Sequence, residues 1–221
     1  MMKKLIIFGS GDIAQLAYYY FTSDSQYDVV AFTVDREYIN SETFCELPIV
    51  PFEDVSDHYP PDVFYIFIAL SYSKLNLLRR SKFEQAKYLG YTLASYISSR
   101  ATVLNDYQFG ENCFVLEDNT IQPFVEVGNN VTLWSGNHIG HHSVIKDHTF
   151  LASHIVVSGG VTIGEQCFIG VNATLRDHIT VGDRCVVGAG ALLLGDAESD
   201  GIYKGTATER AGRPSSGLRR I

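Results

Sequence analysis

Histidines are concentrated in one part of this chain of 221 residues. Six of the seven lie between residues 138 and 178, at positions 138, 141, 142, 148, 154 and 178. An imidazole titrates near neutral pH, and its ring nitrogens can also bind a metal ion. The cluster therefore suggests proton transfer, with metal binding and solvent-exposed turns as the alternatives.

A second candidate site lies near the N-terminus, where Gly9-Ser10-Gly11 follows an apolar segment and precedes a helix-forming one. Glycines let a backbone approach a phosphate, and the start of a helix favours negative charge. Asp35 ends the next apolar segment, where related folds often bind a ribose hydroxyl. A nicotinamide dinucleotide, a nucleotide sugar or similar phosphate ligand, and a purely structural turn remain open. Only about 96 residues precede the repeat described next, whose pattern extends weakly back to Ile97. This length is too short for two mononucleotide-binding halves and a substrate domain, which disfavours the dinucleotide.

The second half of the chain carries an aliphatic residue at every sixth position. In steps of six from Phe109, all fourteen further positions are aliphatic, and seven of the fifteen residues that follow these positions are glycine. The fourteen are Val115, Ile121, Val127, Leu133, Ile139, Ile145, Leu151, Val157, Ile163, Ile169, Leu175, Val181, Val187 and Leu193. A helix needs apolar residues three and four apart and a plain strand needs alternation, so period six favours short parallel strands separated by turns. Three units make a coil of about 18 residues, and coils stack at the strand spacing of about 4.8 Å.

The repeat also assigns positions to the histidines and cysteines. His142, His148, His154 and His178 share one place in the hexad, which we expect to face outward at a turn. His142 and His178 lie two coils apart, or about 9.6 Å, too far to share one metal ion. Cys113, Cys167 and Cys185 differ by multiples of 18, which predicts small buried residues in one column rather than a metal site.

The first half predicts an α/β domain. We expect strands at Lys4–Phe8, Tyr27–Val34, Val63–Leu70 and Tyr91–Ile97, and helices at Ile13–Phe21 and Lys74–Leu89. Strands that alternate with helices indicate a parallel sheet. We divide the chain into residues 1–96, a β-helix at 97–195 and a C-terminal tail at 196–221.

Composition excludes several classes of protein. The chain is 46% hydrophobic and 19% charged, unlike a disordered or collagen-like chain, and its net charge of −8 disfavours nucleic-acid binding. Val63–Leu70 is the longest apolar run, far below the ~20 residues of a membrane helix. The start, MMKKLIIF, is too short in apolar residues for a signal peptide and predicts a strand. Four widely spaced cysteines favour a reducing cytoplasm.

Together these features resemble the hexapeptide-repeat acyltransferases, which fold as left-handed parallel β-helices and usually work as homotrimers. A small Rossmann-like domain followed by such a β-helix is similar to the sugar N-acetyltransferases of the bacillosamine and perosamine pathways. It is also similar to the sialic acid O-acetyltransferase-like proteins. The resemblance spans about residues 3–205. It implies acetyl-CoA as co-substrate, bound between neighbouring β-helices.

The resemblance also implies a general base. The segment from Ile139 to Asp147 resembles the one that carries the catalytic histidine, and this assigns the role to His141. The family commonly places Asp or Glu next, whereas this chain has His142, which we expect to orient His141. Asp147 and Asp177 are alternative sources of a carboxylate. A second family histidine, which contacts acetyl-CoA, is replaced here by Phe150.

The same resemblance implies the ligand contacts, which are largely made by the backbone. For CoA these are Gly159, Gly160, Val171, Gly188, Ala189 and Lys204. For the nucleotide they are Gly9, Ser10, Gly11, Asp35 and Ser71. Asp12 is an acid beside the expected diphosphate, so we expect it to point away or to contact the sugar amine. The basic segment from Arg210 to Ile221 is either a loose end or a contact for CoA phosphates on a neighbouring copy.

The sequence therefore predicts an acetyl-CoA-dependent N-acetyltransferase for a nucleotide-linked amino sugar, with a 4-amino-4,6-dideoxyhexose as the expected acceptor. One alternative is O-acetylation of a sugar hydroxyl, which uses the same donor and base. Another is a non-catalytic nucleotide-binding protein on a degenerate β-helix. We expect no resident metal, no nucleic acid and no membrane among its partners.

Overall fold

Three apolar strands form the centre of a parallel sheet in the first part of the chain. In the computed structural model, which describes residues 2–104, 109–208 and 210, the strand order of this sheet is β3-β4-β2-β1-β5-β6. Only the β3–β4 pair is antiparallel. The strands are β1 (Lys3–Phe8), β2 (Tyr27–Val34), β3 (Thr43–Phe44), β4 (Leu47–Pro51), β5 (Phe64–Ile68) and β6 (Thr92–Leu93).

Three helices accompany this sheet: α1 (Asp12–Ser23), α2 (Val55–His58) and α3 (Leu77–Tyr88). Helix α3 begins three residues later than predicted. Lys74, Leu75 and Asn76 have φ values of 51°, 52° and 61°, so they form a left-handed turn before the helix. This turn follows β5 and directs the start of α3 toward the β-helix.

The second part of the chain is a parallel β-helix with three faces. The first face contains β7 (Tyr96–Ile97), β9 (Phe114–Val115), β12 (Thr132–Leu133), β15 (Phe150–Leu151), β18 (Phe168–Ile169), β21 (Val186–Val187) and β23 (Ile202–Tyr203). The second contains β8 (Thr102–Val103), β10 (Thr120–Ile121), β13 (His138–Ile139), β16 (Val156–Val157), β19 (Thr174–Leu175) and β22 (Leu192–Leu193). The third contains β11 (Glu126–Val127), β14 (Val144–Ile145), β17 (Thr162–Ile163) and β20 (Thr180–Val181).

The predicted hexad explains the interior of this β-helix. Its aliphatic residue is the second residue of each strand and points inward, so that Ile139, Val157 and Leu175 stack on successive coils of the second face with no exposed surface. Cys113 and Cys167 are buried beside this core, and burial raises the pKa of the Cys113 thiol to about 11 and that of Cys167 to about 12. These thiols therefore pack as small apolar groups.

The chain turns at three corners on each coil. The first corner joins the first face to the second (for example 134–137), the second corner joins the second face to the third (140–143), and the third corner returns to the first face (146–149). From residue 112 to residue 190, one turn residue at each corner has a positive φ, and in eleven cases it is not glycine. These are Asn112, Asp118, Phe124, Asn130, His142, His148, His154, Gln166, Asn172, His178 and Arg184.

The α/β domain packs on the first face and on the corners at both edges of that face. Tyr72 contacts the Phe150 and Phe168 rings at 5.0 and 4.7 Å between centroids, and Tyr20 donates a hydrogen bond to Glu117 at the first corner (2.8 Å). The second corner therefore lies at the edge of the prism opposite the face that the α/β domain covers.

A buried arginine joins α3 to the third corner. Arg79 is 1% exposed and donates to the backbone carbonyls of Ile68, Asn112 and Asn130. Burial lowers its pKa to about 10, and no carboxylate pairs with it among the described residues. Three carbonyl acceptors thus replace a counterion at this junction.

The prediction for His148 was wrong. We expected this ring to face solvent at a turn, but it is 6% exposed because α3 covers the third corner. Its Nδ1 lies 2.9 Å from Asn130 Nδ2, and Asn130 in turn accepts from Asn112 (2.8 Å). Burial lowers the pKa of His148 to about 4, with the nearby Arg80 charge acting in the same direction.

The transition between the two parts also differs from the prediction. Residues 91–97 were expected to form one strand, but β6 belongs to the α/β sheet and β7 to the first face of the β-helix. At the other end, Ile202–Tyr203 pairs with β21, so the predicted tail begins as a further coil. The basic segment from Arg210 to Ile221, predicted to be either a loose end or a contact for CoA phosphates on a neighbouring copy, lies outside the described residues from 211 onward.

Candidate active site

A cavity lies at the carboxyl end of β1 and contains most of the predicted nucleotide contacts. It has a volume of about 570 Å³, and its lining includes Gly9, Ser10, Gly11 and Asp35. Gly9 has a φ of 129°, and a Cβ there would come within 2.8 Å of the Ala69 carbonyl oxygen. Only glycine fits this close approach, and the chain passes directly into α1, whose first amides can bind an anion.

A lysine that sequence reasoning missed also lines this cavity. Lys82 is 8% exposed, and its Nζ lies 2.5 Å from Asp35 Oδ1 and 3.1 Å from Gln85 Oε1. The pair places a cation beside the glycine turn, where a phosphate would need one. A signal was available, because Lys82 falls on the buried stripe of α3 with Arg79, Phe83 and Ala86, where a charged residue is unexpected.

Two of the residues predicted to contact the nucleotide, Asp35 and Ser71, fit the cavity less simply. Asp35 is already paired with Lys82, so one of its two carboxylate oxygens is engaged before any ribose binds. Ser71 follows β5 but does not line the cavity, and its Oγ lies 3.4 Å from Ser73 Oγ. A second cavity of about 910 Å³ adjoins the first and shares Asp35 and Lys82 in its lining. The exposed Asp12 lies in the first turn of α1.

His141 and His142 lie together at the second corner. Their Nδ1 atoms are 3.1 Å apart, and the ring planes are nearly perpendicular at 86°. The backbone N–H of His141 donates to Gln122 Oε1 (2.9 Å). The His142 ring packs on the Phe124 ring, with centroids 4.7 Å apart. When both rings are neutral, one Nδ1 donates and the other accepts. If His141 donates, its Nε2 is left as an acceptor that can receive a proton.

Gly159 lies one coil after His141 and packs so closely against the His141 ring that it leaves no room for a side chain. A Cβ on Gly159 would come within 2.6 Å of His141 Cε1 and 2.7 Å of Nε2. The Gly159 N–H has no acceptor within the described part of the chain, although its carbonyl accepts from His178 (3.0 Å). The residue that packs on the imidazole therefore also carries a free N–H, the kind of donor that stabilises an oxyanion next to a general base.

The predicted carboxylates do not reach His141. Asp147 is at the third corner, where it accepts from the Asn129 N–H (2.7 Å) and side-chain amide (3.1 Å). Asp177 is at the second corner, but its Oδ2 lies 4.0 Å from His178 Nε2. Phe150, the replacement for the second family histidine, is 3% exposed beneath Tyr72.

The predicted CoA contacts fall into separate groups within one chain. Gly159 and Gly160 are at the second corner, whereas Val171, Gly188 and Ala189 are at the first corner, on the other edge of the second face. Lys204 follows β23 on the first face. One chain therefore does not bring all six residues together. No group of three or more potential metal-ligand side chains occurs among the residues described.

Comparisons with known proteins agree with this architecture. A sequence profile described as the hexapeptide repeat of succinyl-transferase matches residues 160–194. The acetyltransferase domain of PglB from Neisseria gonorrhoeae FA1090 superposes with a TM-score of 0.81 at 24% identity, over 92% of this chain and 97% of that domain. The chain has the two-part fold of these acetyltransferases. No curated protein sequence matches it.

Two further solved structures share the fold. PerB from Caulobacter crescentus, in complex with CoA and GDP-perosamine, has a TM-score of 0.80 at 21% identity, over 93% of this chain and 95% of that one. WeeI from Acinetobacter baumannii AYE has a TM-score of 0.76 at 17% identity, over 90% of this chain and 94% of that one. The predicted fold class, a small Rossmann-like domain followed by a left-handed β-helix, is confirmed. No helix in the described residues is long and apolar enough to span a membrane.

Proposed function

We propose that this protein transfers an acetyl group from acetyl-CoA to the amine of a nucleotide-linked sugar. The observation that carries the proposal is the free Gly159 N–H beside the His141 imidazole. Acyl transfer from a thioester needs a group that takes a proton from the nucleophile and a donor for the tetrahedral oxyanion. These two groups stand together at the second corner.

The chemistry follows from the positions of these groups. His142 accepts the His141 Nδ1–H and so holds the ring in the tautomer whose Nε2 is a base. The sugar amine attacks the acetyl carbon, His141 Nε2 takes the amine proton, and the Gly159 N–H donates to the oxyanion. The carbon–sulfur bond then breaks to give the amide and the CoA thiolate.

The cavity of the α/β domain supports a nucleotide diphosphate as the handle of the acceptor. Gly9, Gly11 and the first turn of α1 can bind phosphate oxygens, and Lys82 supplies a nearby positive charge. PerB was solved with CoA and GDP-perosamine, and a PglB acetyltransferase domain with acetyl coenzyme A. The shared fold supports acetyl-CoA as donor and a nucleotide-linked amino sugar, such as a 4-amino-4,6-dideoxyhexose, as acceptor.

The positions of the two sites support assembly of several copies. The α/β domain covers the first face, whereas His141 lies at the opposite edge of the prism. An acceptor in the cavity of one copy would therefore meet the second corner of a neighbour. A closed ring of three copies would form three equivalent sites, and it would combine CoA contacts that one chain keeps on separate corners. Four free cysteines support action in a reducing compartment, the cytoplasm.

A mass-spectrometric screen tests the proposal. Purified protein is incubated with acetyl-CoA and a panel of UDP-, dTDP- and GDP-linked amino sugars, followed by mild base. A base-stable gain of one acetyl group on one member supports N-acetylation and identifies the nucleotide and the sugar together. A base-labile product would indicate that the acceptor group is a hydroxyl rather than an amine. Absence of acetyl transfer to any member would contradict the proposed substrate class.

A further inference from the structure

A second imidazole approaches the same pair of glycines as His141. His178 lies on the next coil of the second corner, and its ring packs against Gly160, with Cε1 2.8 Å from the position of a Cβ there. His141 approaches Gly159 from the preceding coil. The two glycines thus form a notch, defined by Gly159 and Gly160, with an imidazole on each side.

A carboxylate lies near the His178 ring. Asp177 Oδ2 lies 4.0 Å from His178 Nε2, whereas Nδ1 is the ring nitrogen that approaches Gly160. An imidazolium that faces Asp177 through Nε2 would therefore direct its Nδ1–H into the notch. His141 has no such carboxylate within the described residues and faces the His142 imidazole instead. The two sides of the notch are chemically different.

The order of the coils places the two imidazoles on opposite sides of the notch. His141 lies on the coil before Gly159 and His178 on the coil after Gly160, because the β-helix advances by one coil every 18 residues. An acetyl carbon held in the notch with the acceptor amine at His141 would therefore have its thioester sulfur on the side of His178.

We propose that His178 is the general acid that protonates the CoA thiolate, an inference that rests on the proposed acetyl transfer. The nitrogen–carbon bond forms, and the amine proton passes to His141 Nε2. The carbon–sulfur bond breaks, and the sulfur receives the Nδ1 proton of the His178 imidazolium. Both rings are exposed, so each regains its starting protonation state by exchange with water.

Several ionisable groups surround His178 and bear on its titration. Asp177 belongs to its own turn, and His141 and His142 come from the preceding coils of the same corner. Asp196 follows one coil later, where its carboxylate accepts from the Thr180 N–H (2.7 Å).

The test compares two histidines in equivalent turns. His178→Asn removes the acid, and Asn is already tolerated at this kind of turn, since Asn172 has a φ of 58°. His154→Asn is the matched control, because His154 has a φ of 58°, close to the 56° of His178, and packs on Gly136 at the first corner. Wild-type acetyl transfer is measured first, so that failure of the proposed function is recognised separately.

In an active wild-type background, His178→Asn should lower kcat by about 10²-fold with little change in the KM for acetyl-CoA. The alkaline limb of the kcat–pH profile should disappear, because no imidazolium remains to be deprotonated. His154→Asn should behave as wild type. A His178→Asn protein with wild-type kcat and alkaline limb, or with only a raised KM, would overturn the inference.

Discussion

At the scale of single residues, catalysis should depend most on His141. His141→Ala removes the proposed base, and turnover should fall by about 10²-fold or more. The ring is exposed and makes no core contact, so the thermal unfolding midpoint should stay near that of wild type. Steady-state kinetics with saturating acetyl-CoA give the comparison. Near-normal turnover would remove His141 from the mechanism.

Gly159 offers a finer test of the same geometry. A methyl group at Gly159 would come within 2.6 Å of the His141 ring, so Gly159→Ala should displace the ring and lower kcat by about 10-fold or more. Gly195 occupies the same column two coils later, and a Cβ there meets nothing within 4 Å. Gly195→Ala is therefore the matched control. Equal activities for the two variants would show that the fit to Gly159 is not required.

At the scale of elements, the junction between α3 and the β-helix depends on Arg79. Arg79→Met leaves three buried carbonyls without their donor, and the free energy of unfolding should fall by about 3 kcal/mol or more. Urea denaturation measures this loss. Arg80→Met is the control, because Arg80 lies in the same helix and makes an exposed ion pair with Glu84. Similar losses for both variants would contradict the proposed importance of the junction.

The same junction should make stability depend on pH. Burial lowers the pKa of His148 from 6.5 to about 4, so the unfolded chain binds the proton more readily than the folded chain. Stability should therefore decrease as the pH falls from about 6.5 toward 4. His148→Asn, matching its neighbour Asn130, should flatten this dependence, whereas His154→Asn should not. Parallel stability curves for wild type and His148→Asn would exclude His148 as the cause.

At the scale of the whole molecule, each active site should combine two copies of the chain. Co-expression of His141→Ala with a variant whose cavity is blocked, such as Gly11→Trp, tests this directly. A site is intact when one copy contributes its cavity and the next its His141, so random trimers should recover about a quarter of wild-type activity. Neither variant alone should be active. No recovery from verified mixed trimers would indicate a site within one chain.

Much of this architecture could be predicted from the sequence because the relevant interactions are local and periodic. The hexad of aliphatic residues predicts the β-helix, since each unit buries its side chain against the next coil. The glycines that follow β1 predict a close backbone approach, and Gly9 has the positive φ that requires glycine. The pairing of His141 with His142 also follows from their adjacency.

Other features depended on contacts between residues far apart in the chain. The sequence marks His148 as a turn residue, and only the packing of α3 on the third corner makes it buried. Lys82 becomes the partner of Asp35 because α3 folds back on the end of β2. The opposite positions of the cavity and of His141 arise from which face the α/β domain covers. These three features follow from side-chain packing between the α/β domain and the β-helix and within the α/β domain, which no local sequence pattern encodes.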